Sequence, residues 1–175
     1  IATGDRAAWD SLMEALPGYL DERGLATFFP GQMQGDVALS AYLLSASTDA
    51  GLPLPTAARG RLEQALADYL GGRLELPRAR WLPDPTGTAL RLAALAALAR
   101  TGKATPELVD TVKIAPETWP AGQIVDWIEV LKRLPTLAQR ASRLKAAEAA
   151  LRARMSQTGS RLHLADDGQW WLMRS

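Results

Sequence analysis

The sequence predicts an all-α fold, part of an α/α-toroid with helical hairpins in two layers as an incomplete ring, plus a short β-hairpin near the C-terminus. Three observations lead there. Apolar periodicity with Pro and Gly punctuation marks out seven helical segments. The second segment has no charged side chain between Asp36 and Asp49, and the fourth has only Arg91 between Thr86 and Ala99. The third, by contrast, carries Arg59, Arg61, Glu63 and Asp68, and the seventh Arg140, Arg143, Lys145, Glu148, Arg152 and Arg154. A helix without charge on any face has to be surrounded by protein, whereas a helix with a charged face borders water. Their alternation implies an inner layer covered on all sides and an outer layer facing solvent. The sixth segment, with Asp126, Glu129, Lys132 and Arg133, departs from the alternation.

Each element has a local reason. The first helix, from about Asp5 to Leu16, lines Trp9, Leu12, Met13 and Leu16 along one stripe, and Pro17-Gly18 closes it. The aromatic Pro/Gly stretch from Leu20 to Gly35 reads as an ordered loop. Asp36 suits the N-cap of the second helix, which ends near Gly51. The third follows Pro55, has Leu62, Leu66, Tyr69 and Leu70 as its apolar face, and stops at Gly71-Gly72. A second ordered loop, Leu70 to Pro85, leads to the fourth, which starts at Thr86 and carries Leu90, Leu92, Leu95 and Leu98 to Gly102. Thr105-Pro106-Glu107 opens the fifth with an N-cap, a proline at the first helical position and an acid in the first turn; Pro116 ends it. The sixth spans Ala121 to Leu134, stopped by Pro135, and the seventh runs from the N-cap Thr136 to about Gln157, before Gly159. Arg161 to Ala165 and Gln169 to Met173 flank Asp166-Asp167-Gly168, a composition that suits a hairpin turn.

The 175 residues suffice for a single domain with a sizeable core. Of these, 47% are hydrophobic and 22% charged, with a formal net charge of +1 and no cluster of Lys or Arg, so nucleic-acid binding lacks electrostatic support. Apolar runs such as Ala93 to Ala99 fall far short of the ~20 residues that cross a bilayer, so direct membrane insertion by this segment is not expected. No signal peptide is visible at the N-terminus. With no cysteine, the chain itself supplies no disulfide, thiolate zinc site, cysteine nucleophile or thioester. It opens at Ile1 and closes just after the apolar Trp170-Trp171-Leu172-Met173, whereas natural termini tend to be polar and frayed. A piece of a longer protein is the expectation.

Candidate chemistry is sparse. His163 is the only histidine, so it cannot build a metal site alone and reads as a structural or surface residue. Paired carboxylates could serve glycosidase chemistry, as in some α/α-toroids. Asp126 and Glu129 share a face of the sixth helix, Asp84 precedes the fourth, and Asp36 opens the second. Each has a plainer role: Asp36 as N-cap, Asp84 in a Pro-Asp-Pro turn, Asp126 and Glu129 in pairs with Lys132 or Arg133. Asp166-Asp167 before a glycine is what a tight turn asks for. No Gly-rich phosphate loop or Asp-rich metal motif is present, and no catalytic residue, metal or cofactor is expected. Of the six tryptophans, Trp9, Trp127 and Trp119 sit at core positions, and Trp81 lies in the second loop. Trp170 and Trp171, adjacent in the expected strand, point to opposite faces, which makes them the best interface candidates.

One resemblance runs along nearly the whole chain. Gly35-Asp36-Val37-Ala38-Leu39-Ser40-Ala41-Tyr42-Leu43-Leu44 resembles the helix of the thioester domain in bacterial alpha-2-macroglobulins. Tyr19-Leu20-Asp21, Gly24-Leu25-Ala26 and Phe29-Pro30 look like its preceding loop; Trp119-Pro120, Asp126-Trp127 and Leu131-Lys132-Arg133 look like a later helix; Trp170-Trp171-Leu172-Met173 looks like a Trp-rich element near its end. The resemblance implies residues 1–175 as the C-terminal part of an α/α-toroidal thioester-type domain, a non-catalytic scaffold within a broad-spectrum protease inhibitor that traps its attacker. It further implies a periplasmic or cell-envelope, lipid-anchored or secreted parent, whose partners are target proteases and the parent's other domains. The family's Cys-x-Glu-Gln thioester motif is absent here. An α/α-toroid glycosidase, or a helical scaffold with no inhibitor role, are the alternatives.

Overall fold

The computed structural model describes residues 6–75, 84–158 and 161–164. Within them the chain forms α1 (Arg6–Ala15), α2 (Val37–Asp49), α3 (Thr56–Leu70), α4 (Asp84–Arg100), α5 (Pro106–Val109), α6 (Ala121–Arg133) and α7 (Arg140–Ala153), then strands β1 (Met155–Thr158) and β2 (Arg161–Leu164). The fold is all-α, as the periodicity implies.

α4 occupies the centre, packed against α2, α3 and α6. Leu92 and every residue from Ala94 to Ala99 are buried, so from Ala94 to Ala99 the helix is enclosed on all its faces. Alanine at positions 94, 96, 97 and 99 keeps it slim enough for three neighbours to close on it. α2, α4 and α6 therefore form one layer, with α3 over α2 and α4, and α7 over α6. α3 buries Ala58, Leu62, Ala65, Leu66 and Leu70, a single face at helical spacing. α7 fully buries only Ala147. The charge alternation thus reads α3, α4 and α7 correctly, whereas α2, expected to be covered on all sides, belongs to the inner layer but buries one face and leaves Tyr42 60% exposed. α6 is inner despite its charges, because Ile124, Trp127, Ile128, Val130 and Leu131 are all buried.

Arg91, the one charge in the body of α4, works internally. The Arg91 guanidinium donates to the carbonyls of Tyr69 and Leu70 at the end of α3 and to that of Thr111 (3.2 Å), and lies 5.6 Å from the centre of the Tyr69 ring. Carbonyls at a helix C-terminus lack intrahelical donors and carry partial negative charge, so a cation there satisfies both needs.

Several boundaries differ from expectation. α4 starts at Asp84, which opens the helix instead of lying in a turn before it. α5 ends at Val109, far short of Pro116. The Thr111 hydroxyl takes the Leu108 carbonyl (2.7 Å), and tight turns then place Val109 and Val112, three apart, both in the core. α7 begins at Arg140, because Leu134 and Leu137 are both buried and the chain turns to seat them; Gln139 takes a left-handed φ of 55° at the helix start. On α1, Leu12 is 63% exposed although Leu16 is buried.

The C-terminal hairpin also needs correction. Arg161–Leu164 pairs antiparallel with Met155–Thr158, Met155 opposite Leu164 and Thr158 opposite Arg161. α7 ends at Ala153 instead of Gln157, which frees residues 155–158 to become a strand. The hairpin expected around Asp166-Asp167-Gly168 is not supported, and residues 165–175 lie outside the described residues.

Candidate functional site

Two surfaces stand out: the ordered loop before α2, and a groove across the inner layer.

The loop is organised by Asp21. Its buried carboxylate accepts from the backbone N–H of Leu25 (2.9 Å) and of Gly35 (2.8 Å), and pairs with the Arg23 guanidinium (3.2 Å). Burial pushes the Asp21 pKa up, but the Gly35 and Leu25 donors and the Arg23 charge outweigh it and hold the carboxyl below its ordinary value. Ser40 ties this loop to α2: its Oγ accepts from Ala26 N–H (2.8 Å) and donates to the Asp36 carbonyl (2.6 Å). Asp36 caps the helix as its sequence position implies, accepting from Leu39 N–H at 2.7 Å. On this base stands an apolar tip, Phe28, Phe29 and Met33, the last 93% exposed. Gln32 Oε1 accepts from the N–H groups of Phe28 and Phe29 and so fixes the tip. A preorganised apolar projection is a contact feature without reactive groups.

The groove, of 540 Å³, runs along Ala38, Ala41, Tyr42, Ser45 and Ala46 of α2, over Ala89, Leu90 and Ala93 of α4, to Pro120, Gly122 and Gln123 at the start of α6. Asp49, Arg100 and Asp126 complete its lining, the first two being the last residues of α2 and α4. Arg100, with its side chain only 12% exposed, lies 3.1 Å from Asp49 and 3.7 Å from Asp126. The longer distance makes an ion pair and not a hydrogen bond. Burial pushes the Asp126 carboxyl up to about 6; Arg100 opposes that rise, while Glu129 and Asp49 add to it.

Among the described side chains, the sequence-predicted acids do not converge. Asp126 joins Asp49 through Arg100, whereas Glu129 pairs with Lys132 (3.7 Å) and Arg133 (3.2 Å) along its own helix. Asp36 is a cap and Asp84 opens α4. The backbone of His163 sits in β2 opposite Ser156. Among the described residues, no group of three or more His, Cys, Asp or Glu could hold a metal ion. Trp127 and Trp119 are buried, and Trp9 is half-buried with Nε1 donating to the Pro53 carbonyl (3.3 Å). Trp81, Asp166, Asp167 and the interface candidates Trp170 and Trp171 lie outside the described residues. No helix among the described residues is long and apolar enough to cross a membrane.

The Arg100 bridge went unread in the sequence. Its signal was there: opposite charges at the ends of two otherwise nearly uncharged helices, Asp49 and Arg100.

No family model matches the chain. No curated protein matches it either. Among solved structures, the native conformation of Escherichia coli alpha-2-macroglobulin, seen by single-particle cryo-electron microscopy, is similar, with a TM-score of 0.61 and 19% identity. The likeness covers 83% of this chain and 9% of that chain. At such identity it shows the fold, and this chain spans a small part of that protein's length.

Proposed function

We propose that this chain is a scaffold segment of a bacterial alpha-2-macroglobulin-like protease inhibitor, part of a thioester-type toroid domain acting in the cell envelope. The observation that carries this reading is the shared fold with Escherichia coli alpha-2-macroglobulin over 83% of the chain. The ordered motifs around Tyr19–Leu44, Trp119–Arg133 and Trp170–Met173 support it. In this reading the chain is not an enzyme and uses no cofactor. It contributes packed helices and docking surfaces, and any thioester belongs to residues outside it, since it has no cysteine. Its partners are the other domains of the parent protein and, through the parent, the trapped proteases.

A glycosidase would need two acids facing each other across a cleft. Asp126 and Glu129 are instead engaged with Arg100, and with Lys132 and Arg133.

The test is to incubate the full-length parent with a broad-specificity protease such as trypsin and follow two substrates. Trapping predicts that cleavage of a large protein substrate falls while cleavage of a small chromogenic peptide persists. Undiminished cleavage of the large substrate would defeat the reading.

A further inference from the structure

We propose that the groove between α2 and α6 docks a polypeptide segment of apolar side chains carrying one lysine or arginine, whose cation reaches Asp126. α2 has an uncharged body, yet Tyr42 on the groove is 60% exposed. Such a face normally has protein against it. The lining side chains are mostly small, so a second backbone can approach closely. From Ala38 to Asp49 the α2 wall runs about 16 Å, a span suited to a few turns of helix or a short extended segment.

Charge selects the occupant. Among the described residues, Asp49 and Asp126 share one cation, Arg100, which leaves the charged end of the groove one negative in excess there. Arg100 sits closer to Asp49, so Asp126 is the under-neutralised partner. The groups facing Asp126 are Arg100 of α4, Asp49 of α2 and Glu129 of its own helix, the last occupied by Lys132 and Arg133. Burial is the main cause of the rise of its pKa to about 6; Arg100 opposes the rise, and Glu129 and Asp49 add to it. A lysine or arginine from outside would supply that charge, and an acidic segment would be repelled. Docking at this groove is independent of the inhibitor reading: peptide binding by this chain and protease trapping by a longer protein fail separately.

The experiment titrates the 175-residue protein with fluorescein-labelled, end-capped alanine–leucine peptides carrying one central Lys, Gln or Glu, read by anisotropy. At about pH 7.5 the Lys peptide should bind about tenfold more tightly than the Glu peptide, the difference one charge-assisted contact makes. Asp126→Asn should erase that preference with the fold unchanged by circular dichroism. Tyr42→Arg, at an exposed position, should weaken the Lys peptide and favour the Glu peptide. Lowering the pH to about 5 should weaken the Lys peptide as Asp126 protonates. Equal affinity for the three peptides, no binding of the Lys peptide, or a preference that survives Asp126→Asn would overturn it.

Discussion

Gly35 and Leu25 approach so closely that a Cβ added at Gly35 would stand 2.4 Å from the Leu25 Cβ and 2.7 Å from its carbonyl oxygen. The approach is fixed from both sides by Asp21, whose carboxylate accepts from both backbones. Gly35→Ala should therefore lower stability by about 3 kcal/mol, as overpacking against backbone does. Urea unfolding measures it; a loss under half a unit would show that the loop can move aside.

Gly60 provides the contrast. It lies mid-helix in α3, exposed, with nothing within 4 Å of an added Cβ. Gly60→Ala should stabilise by about 0.5–1 kcal/mol through helix propensity and a stiffer unfolded chain. A higher melting temperature is the expected readout.

Asp21→Asn would set an amide N–H₂ against the Leu25 or Gly35 donor and weaken the Arg23 pair, costing about 3 kcal/mol at neutral pH. The Asp21 pKa is lowered on folding, so its contribution is present above the unfolded value of 3.8 and is lost as pH falls through the folded one. Unfolding of both proteins across acid pH should show the gap narrowing below about pH 4.

Asp126 has the opposite sign. Its pKa rises from 3.8 to about 6 on folding, so the stability linked to its proton is full below 3.8 and is lost as pH rises through about 6. Relative to Asp126→Asn, the native protein should gain about 1 kcal/mol between neutral pH and pH 4, an amount discounted for partial exposure. Parallel pH profiles of the two proteins would contradict the buried, under-neutralised carboxylate.

Arg91→Lys keeps the charge but loses the planar fork that serves Tyr69, Leu70 and Thr111 together. A stability loss of about 1–2 kcal/mol is expected by chemical denaturation.

Where a signal was local, it was legible. Asp36 is a cap because a short acidic side chain can reach back to an orphan N–H, and its sequence position shows this. The burial of α4 was legible from its missing charges, since no outward face had been written into it. What escaped depended on distant partners. α6 is inner although charged, because Ile124, Trp127, Ile128, Val130 and Leu131 are buried against neighbouring helices, while Glu129, Lys132 and Arg133 pair along the helix and Asp126 takes Arg100 of α4. α5 is short because Val112 is drawn into a core that local periodicity cannot see, and α7 starts late because Leu137 is drawn in likewise. Local periodicity predicts helix to about Gln157, where the chain forms the strand Met155–Thr158, because its pairing with Arg161–Leu164 is a property of both segments together. Of the groove, the small apolar wall of α2 was visible in the sequence, and the bridge from Asp49 through Arg100 to Asp126 was not.

Amide hydrogen exchange tests the layered arrangement most directly, because α4 is enclosed by α2, α3 and α6. Residues 92–99 should exchange only by global unfolding and be the slowest in the chain, with α7, which fully buries Ala147 alone, orders of magnitude faster. Exchange in residues 92–99 as fast as in α7 would mean that α4 is not the enclosed centre, and the layered account would fail.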